Sequence, residues 1–67
     1  MVSALSQLTP DAREWIESSG LDVMVGQYVR YMRTLTEHSA NEVLAAAYRE
    51  AGVAQFGDEF DRKVEAY

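Results

Sequence analysis

The sequence predicts an all-α fold, a compact bundle of four short helices, or of five. Three observations lead to this class. Apolar side chains recur at helical spacing over residues 23–35, and helix start and stop signals divide the rest of the chain into short segments. The chain has 67 residues and no cysteine, so a single small domain must draw its stability from helix packing.

The N-terminal segment, residues 1–8, is expected to be an arm or a short helical turn. Val2, Leu5 and Leu8 are spaced by three, which would place them together on one helical turn. Residues 9–67 are expected to form one helical domain.

The first helix is predicted over about residues 10–19. Thr9 can accept a hydrogen bond from a free N–H group, and Pro10 suits the first helical position because its missing N–H has no partner there. Gly20 is predicted to end the helix in a left-handed conformation. Trp15 is expected to be a core anchor, and the alternative is an exposed aromatic contact residue.

The central helix is predicted over about residues 22–37, with the other helices packed around it. Its apolar residues follow two adjacent stripes: Met24, Tyr28, Tyr31 and Leu35 on one, and Val25, Val29 and Met32 on the other. Together the stripes are wider than a surface helix needs, so we expect neighbours on two sides. Asp22 is predicted to cap the helix, and a bend at Gly26 would make residues 21–25 a separate fifth helix.

The third helix is predicted over about residues 40–51. Ser39 and Glu42 have the spacing of a capping box at its start. Gly52 is expected to end it, which leaves residues 53–57 as a connector.

The last helix is predicted over about residues 58–66, with Asp58 as its cap. Its apolar side is expected to consist of Phe56, Phe60, Val64 and Tyr67. Two acid-before-base pairs at a spacing of four are expected to stabilise it, Asp58 with Arg62 and Glu59 with Lys63.

The charge balance excludes two classes of partner. Six basic and eleven acidic side chains give a net charge of −5, which argues against nucleic acid and against anionic membrane surfaces. The first residues lack the basic start of a signal peptide, and the longest apolar run, residues 43–48, is far short of the ~20 residues of a membrane span. We therefore expect a soluble, cytoplasmic protein.

Nothing in the residue pattern predicts catalysis. The single histidine, His38, has no cysteine partner and is expected to complement the dipole at the end of the central helix. Asp58, Asp61 and Glu65 share one side of the last helix but lack the oxygen-rich loop of a calcium site. The expectation is a protein that is not an enzyme, with no catalytic residue, metal, cofactor or small-molecule substrate.

Two DNA-binding folds fit parts of the helix pattern poorly. A helix-turn-helix over residues 28–51 would read DNA with a helix whose one basic residue, Arg49, lies among Glu42 and Glu50. A ribbon-helix-helix would need an N-terminal strand, but that segment has no basic residues and no continuous alternation.

Charged residues on two helices are the candidates for partner binding. Arg30 and Arg33 lie on the narrow polar strip of the central helix, and Asp58, Glu59 and Asp61 lie at the start of the last helix. We expect these five side chains to contact a protein partner.

Two stretches carry a resemblance to a known family. Residues 14–21 (EWIESSGL) combine a tryptophan with a closing Gly-Leu, and Met24 and Tyr28 follow at a family-like spacing. Residues 48–53 (YREAGV) precede a Phe-Gly pair and a final helix. Residues 12–67 thereby resemble a sterile alpha motif (SAM) domain, a five-helix interaction module.

The chain differs from that family pattern in its second half. One long helix from Ala40 replaces two short ones, Ala51 stands where a large apolar residue is usual, and the apolar register shifts after Phe60. The resemblance implies head-to-tail protein association, from the middle of one domain to the start of another's last helix. Here that pairing would join the two arginines to the acidic helix start and give open chains or rings.

The expected function is a non-catalytic protein–protein interaction module that binds another protein or another copy of itself. The alternative is a small acidic inhibitor, similar to an antitoxin, that occludes a basic, nucleic-acid-binding surface of a larger protein. The net charge of −5 motivates this alternative.

Overall fold

The computed structural model describes residues 3–67 and confirms an all-α bundle. Its helices are a 3₁₀ turn at Leu5–Gln7, then α1 (Pro10–Ser18), α2 (Leu21–Arg33), α3 (Ala40–Phe56) and α4 (Asp58–Ala66). The described part of the chain thus has four α-helices, and α2 continues through Gly26 without forming a fifth. The predicted position of Val2 lies outside the described residues.

The core forms where α2, α3 and α4 meet. The most extensive packing is between α2 and α3, and α4 closes the group against both. Met24 of α2 and Phe60 of α4 are fully buried, and Tyr28 meets the Phe60 ring edge-on at a centroid distance of 5.5 Å. The remaining buried members come from all parts of the chain: Ala4, Ile16, Val25, Ala47, Tyr48 and Ala51.

The start of α1 follows the sequence signals. The Thr9 hydroxyl accepts a hydrogen bond from the Ala12 N–H at 3.3 Å, and Pro10 occupies the first helical position. Both predictions are confirmed.

The passage from α1 to α2 differs from the prediction. The chain already leaves the helix at Ser19 in extended conformation, so Gly20 has no left-handed turn to make (φ −75°, ψ 166°). Gly20 instead precedes α2 as its cap residue, and the prediction that Asp22 caps the helix is wrong. Asp22 lies in the first turn and its carboxylate pairs with Lys63 at 3.1 Å.

The end of α2 is earlier than the predicted residue 37. The side chain of Asn41, in α3, donates hydrogen bonds to the backbone carbonyl and hydroxyl oxygens of Thr34, at 2.8 and 3.0 Å. The same carbonyl also accepts the Glu37 N–H at 3.1 Å, three residues further on, so the chain forms a turn here and does not continue the four-residue spacing of an α-helix. Leu35 therefore falls outside the helix and is exposed.

The predicted capping box at the start of α3 does not form. Ser39 makes no side-chain hydrogen bond to the helix, whereas Nδ1 of His38 accepts one from the Ala40 N–H at 3.1 Å. His38 thus forms a hydrogen bond at the start of α3. Its predicted role, to complement the dipole at the end of α2, is wrong.

The predicted end of α3 at Gly52 is also wrong. Gly52 lies inside the helix, where the Phe60 ring fills the space that a β-carbon would need. The helix continues through the predicted connector to Phe56 and ends at Gly57, whose φ of 60° and ψ of −135° suit glycine alone. The same glycine precedes α4, so Asp58 is not the cap of that helix.

The segment before α1 packs on α3. Ala4 is buried, and its N–H donates a hydrogen bond to the Glu50 carboxylate at 2.6 Å. Over residues 3–67, each helix is too short or too polar to cross a membrane.

Candidate functional site

Trp15 is the most exposed large apolar side chain among the described residues. It is 72% exposed, so the prediction of a core anchor is wrong and the alternative, an exposed aromatic residue, matches the structure. The next residue, Ile16, enters the core in its place, at 2% exposed. α1 packs on α3 through the side that carries Ile16, and Trp15, about 100° further around the helix, lies outside this contact.

A hollow of about 300 Å³ lies beside Trp15, between α1 and α2. Trp15 of α1 and Val23 of α2 both line it, and Val23 is itself 50% exposed. The α1–α2 hollow is lined by Trp15, Ser18, Ser19, Val23, Gln27 and Tyr48. It therefore combines two exposed apolar side chains with hydroxyl and amide groups.

The hollow exists because α1 packs on α3 and hardly on α2. The extended residues Ser19 and Gly20 carry the chain away from α1 before α2 begins. The Gln55 side chain of α3 donates to the Glu17 carbonyl at 2.7 Å, which holds the end of α1 against α3. α1 and α2 are consequently separated beside the hollow, and Tyr48 of α3 also lines it.

Gln27 and Tyr48 supply polar groups to the hollow, in addition to the hydroxyls of Ser18 and Ser19. The Oε1 atom of Gln27 is buried and accepts no hydrogen bond from any described residue. Tyr48 is 6% exposed and stacks on Tyr31 at a centroid distance of 6.0 Å. Burial raises the pKa of the Tyr48 phenol, with a smaller contribution from Tyr31, so its neutral form is favoured.

The predicted partner-binding residues lie at two helix ends. Arg30 and Arg33 are exposed in the last turn of α2, and neither forms an ion pair within residues 3–67. Asp58, Glu59 and Asp61 lie in the first turn of α4, where Asp61 pairs with Arg49 at 3.0 Å. No described ion pair or hydrogen bond joins the two arginines to these acids.

The acid–base pairs expected within α4 do not form. Lys63 reaches Asp22 of α2, and the pair is largely exposed, so its contribution to stability is small. Tyr67, expected on the apolar side of this helix, is 66% exposed.

A second groove, of about 550 Å³, lies along α3 beside the N-terminal segment. Its lining combines Leu5 with small and charged residues of α3: Ala46, Arg49, Glu50, Val53 and Ala54. Within residues 3–67, no group of three or more histidine or acidic side chains is placed to hold a metal ion.

Comparison with family models, with curated proteins and with solved structures finds no match to the chain.

Sequence reasoning missed Val23 and Gln27 as site residues and placed Trp15 in the wrong environment. A usable signal was present at Trp15, because Asp11 and Ser18 share its helical stripe and both are polar. No comparable signal identifies the hollow itself, because it depends on the gap between α1 and α2 and on Tyr48 of α3, which is distant in sequence from the other lining residues.

Proposed function

We propose that this chain is a non-catalytic protein–protein interaction module. The observation that carries the proposal is Trp15, 72% exposed beside a hollow that the exposed Val23 also lines. Tryptophan is among the residues that contribute most to protein interfaces, and such residues usually work beside a pocket that excludes water. An exposed tryptophan adds nothing to the core, so binding is the role that accounts for it.

The SAM resemblance supports the same functional class through a different surface. It would pair Arg30 and Arg33 of one copy with the acidic start of α4 in the next copy. Both arginines, together with Asp58 and Glu59, are exposed and form no ion pair among the described residues. These side chains are therefore available for contacts between copies.

The second candidate is an acidic inhibitor that covers a basic, nucleic-acid-binding surface of a larger protein. The observation that favours it is the net charge of −5, with Asp58 and Glu59 exposed at one helix end. A cytoplasmic location belongs to both proposals, and the absence of cysteine suits a reducing compartment.

The first test measures molar mass by light scattering over a range of concentrations at low and high salt. A mass that rises with concentration and falls with salt would support self-association through the arginines and the acidic start of α4. A stable dimer that ignores salt would support an apolar interface. A constant 7.5 kDa would exclude self-association and leave a foreign partner.

The second test compares retention of cellular proteins by the wild-type chain and by Trp15→Ala. The variant should fold normally because the side chain is exposed. Val53→Ala, which truncates an exposed apolar residue outside the hollow, is the matched control. A partner lost with Trp15→Ala and kept with Val53→Ala supports the proposal, whereas a chain that binds neither itself nor any protein contradicts it.

A further inference from the structure

We infer that the α1–α2 hollow binds a basic polypeptide segment that inserts one apolar side chain between Trp15 and Val23. This inference rests on the proposed function and names the class of its partner. Its grounds are the size of the hollow, the charges beside it and the position of its polar groups.

The size of the hollow suits a side chain. Pockets for drug-sized ligands and cofactors span roughly 300–1,000 Å³, and this one, at about 300 Å³, is at the lower bound. Trp15 and Val23 provide apolar contact within it. An apolar side chain is smaller than a drug-sized ligand and can enter such a space, while the rest of the segment stays outside it.

The charge beside the hollow is negative on the α1 side. Asp11 precedes Trp15 by four residues and Glu14 precedes Ser18 by four, so both acids lie on the helix face that borders the hollow. Both are exposed, and neither forms an ion pair among the described residues. The basic residue of α1, Arg13, is already paired with Glu17 at 2.8 Å. This face therefore complements lysine or arginine on the partner.

The same charges argue against a second copy as the occupant. A two-fold interface is formed by the same surface of each subunit, so Asp11 and Glu14 of both copies would lie in it together. Each copy also carries a net charge of −5. A basic foreign segment avoids both repulsions.

The polar groups indicate how the segment is oriented. Gln27 lines the hollow and has an acceptor oxygen without a partner in the described residues, so a backbone N–H of the segment can bond to the amide once the amide turns outward. Arg30 lies three residues further along α2, on the same helical stripe, and is exposed. The basic part of the segment therefore lies over α1, away from Arg30.

Selection from a library of random displayed peptides on the immobilised full chain tests the inference. Peptides that bind the wild type and lose binding with Trp15→Ala are sequenced, and the most enriched ones are synthesised for affinity measurement by fluorescence anisotropy. We expect a bulky apolar residue flanked by lysine or arginine. Trp15→Ala should weaken binding about thirty-fold or more, as for a central tryptophan contact.

Two double variants, each of which removes two negative charges, separate the effect of the acids beside the hollow from the effect of the net charge. Asp11→Asn with Glu14→Gln should weaken binding by about two- to ten-fold, as for the loss of two exposed ion pairs. Glu37→Gln with Glu42→Gln removes the same charge at two exposed residues that do not line the hollow and should leave the affinity nearly unchanged. An equal loss in both variants would overturn the inference, because attraction would then depend on net charge alone.

The remaining outcomes separate the inference from the function on which it rests. Peptides that need Trp15 but are neutral or acidic overturn the basic partner and leave the interaction module standing. A selection that yields no Trp15-dependent peptide overturns the inference, while the light-scattering test of self-association, which does not depend on the hollow, still decides the proposed function.

Discussion

The aromatic ring of Phe60 lies against the backbone of Gly52, in the space that a β-carbon at position 52 would occupy. Phe60 is fully buried, so it has no free volume into which to move. Contact between α3 and α4 at this point therefore depends on the absence of a side chain.

Gly52→Ala should lower the free energy of unfolding by about 2 kcal/mol, because the clash with the ring outweighs the gain of about 1 kcal/mol in helix propensity. Urea denaturation followed by circular dichroism measures the change. Gly26→Ala is the control: there a β-carbon meets the Tyr67 hydroxyl at an ordinary 3.5 Å, and stability should rise by up to about 1 kcal/mol. Equal stability of the two variants would contradict the packing described.

Gln27→Leu should raise the free energy of unfolding by about 1 kcal/mol, because it removes a buried acceptor that is unpaired among the described residues. Gln55→Leu provides the contrast. Its amide donates to the Glu17 carbonyl, so its loss should cost about 0.5–1 kcal/mol. Chemical denaturation shows whether each substitution raises or lowers the free energy of unfolding. A Gln27→Leu variant less stable than the wild type would mean that the amide contributes to the fold.

His38→Ala should destabilise the protein by about 1 kcal/mol through the loss of the cap on Ala40. Ser39→Ala should have little effect, because the serine makes no hydrogen bond to the helix. His38→Asn offers another acceptor and should recover part of the loss. Thermal unfolding of the three variants ranks them, and a larger loss for Ser39→Ala would restore the capping-box prediction.

Alkaline pH should destabilise the wild type through Tyr48. Burial raises the pKa of this phenol in the folded state, so the unfolded chain, with a pKa near 10, releases the proton first. The folded state then holds more protons than the unfolded state, and stability falls as pH rises above about 10. Urea midpoints near pH 9 and pH 11 should fall further for the wild type than for Tyr48→Phe. Equal declines would assign the effect to other groups.

Two features are predicted correctly from the sequence. The start of α1 depends on Thr9 and Pro10, which lie within one helical turn, and the core-facing side of α2 follows from the repeat of apolar residues through Met24. The end of α3 was predicted wrongly at Gly52, since a glycine can either end a helix or leave space for a neighbouring ring. The choice depends on Phe60, which only the tertiary structure places beside it.

The candidate site was beyond the reach of sequence reasoning for a related reason. Trp15 and Ile16 are both large and apolar, and which one is buried depends on how α1 rotates against α3. The hollow also needs Val23 on α2 and Tyr48 on α3 at set distances from Trp15. Helical spacing assigns faces within one helix, but it does not fix the gaps between helices.

Gly57 alone joins α3 to α4, and this makes the two junctions on either side of α3 unequal in their tolerance of changes in chain length. One residue inserted at Gly57 would displace α4 relative to α3 and carry Phe60 away from Gly52. The exposed segment 35–38 has no buried side chain and can absorb such an insertion. Insertions, natural or engineered, should therefore be tolerated in the segment before α3 and should destabilise the protein at the junction after it.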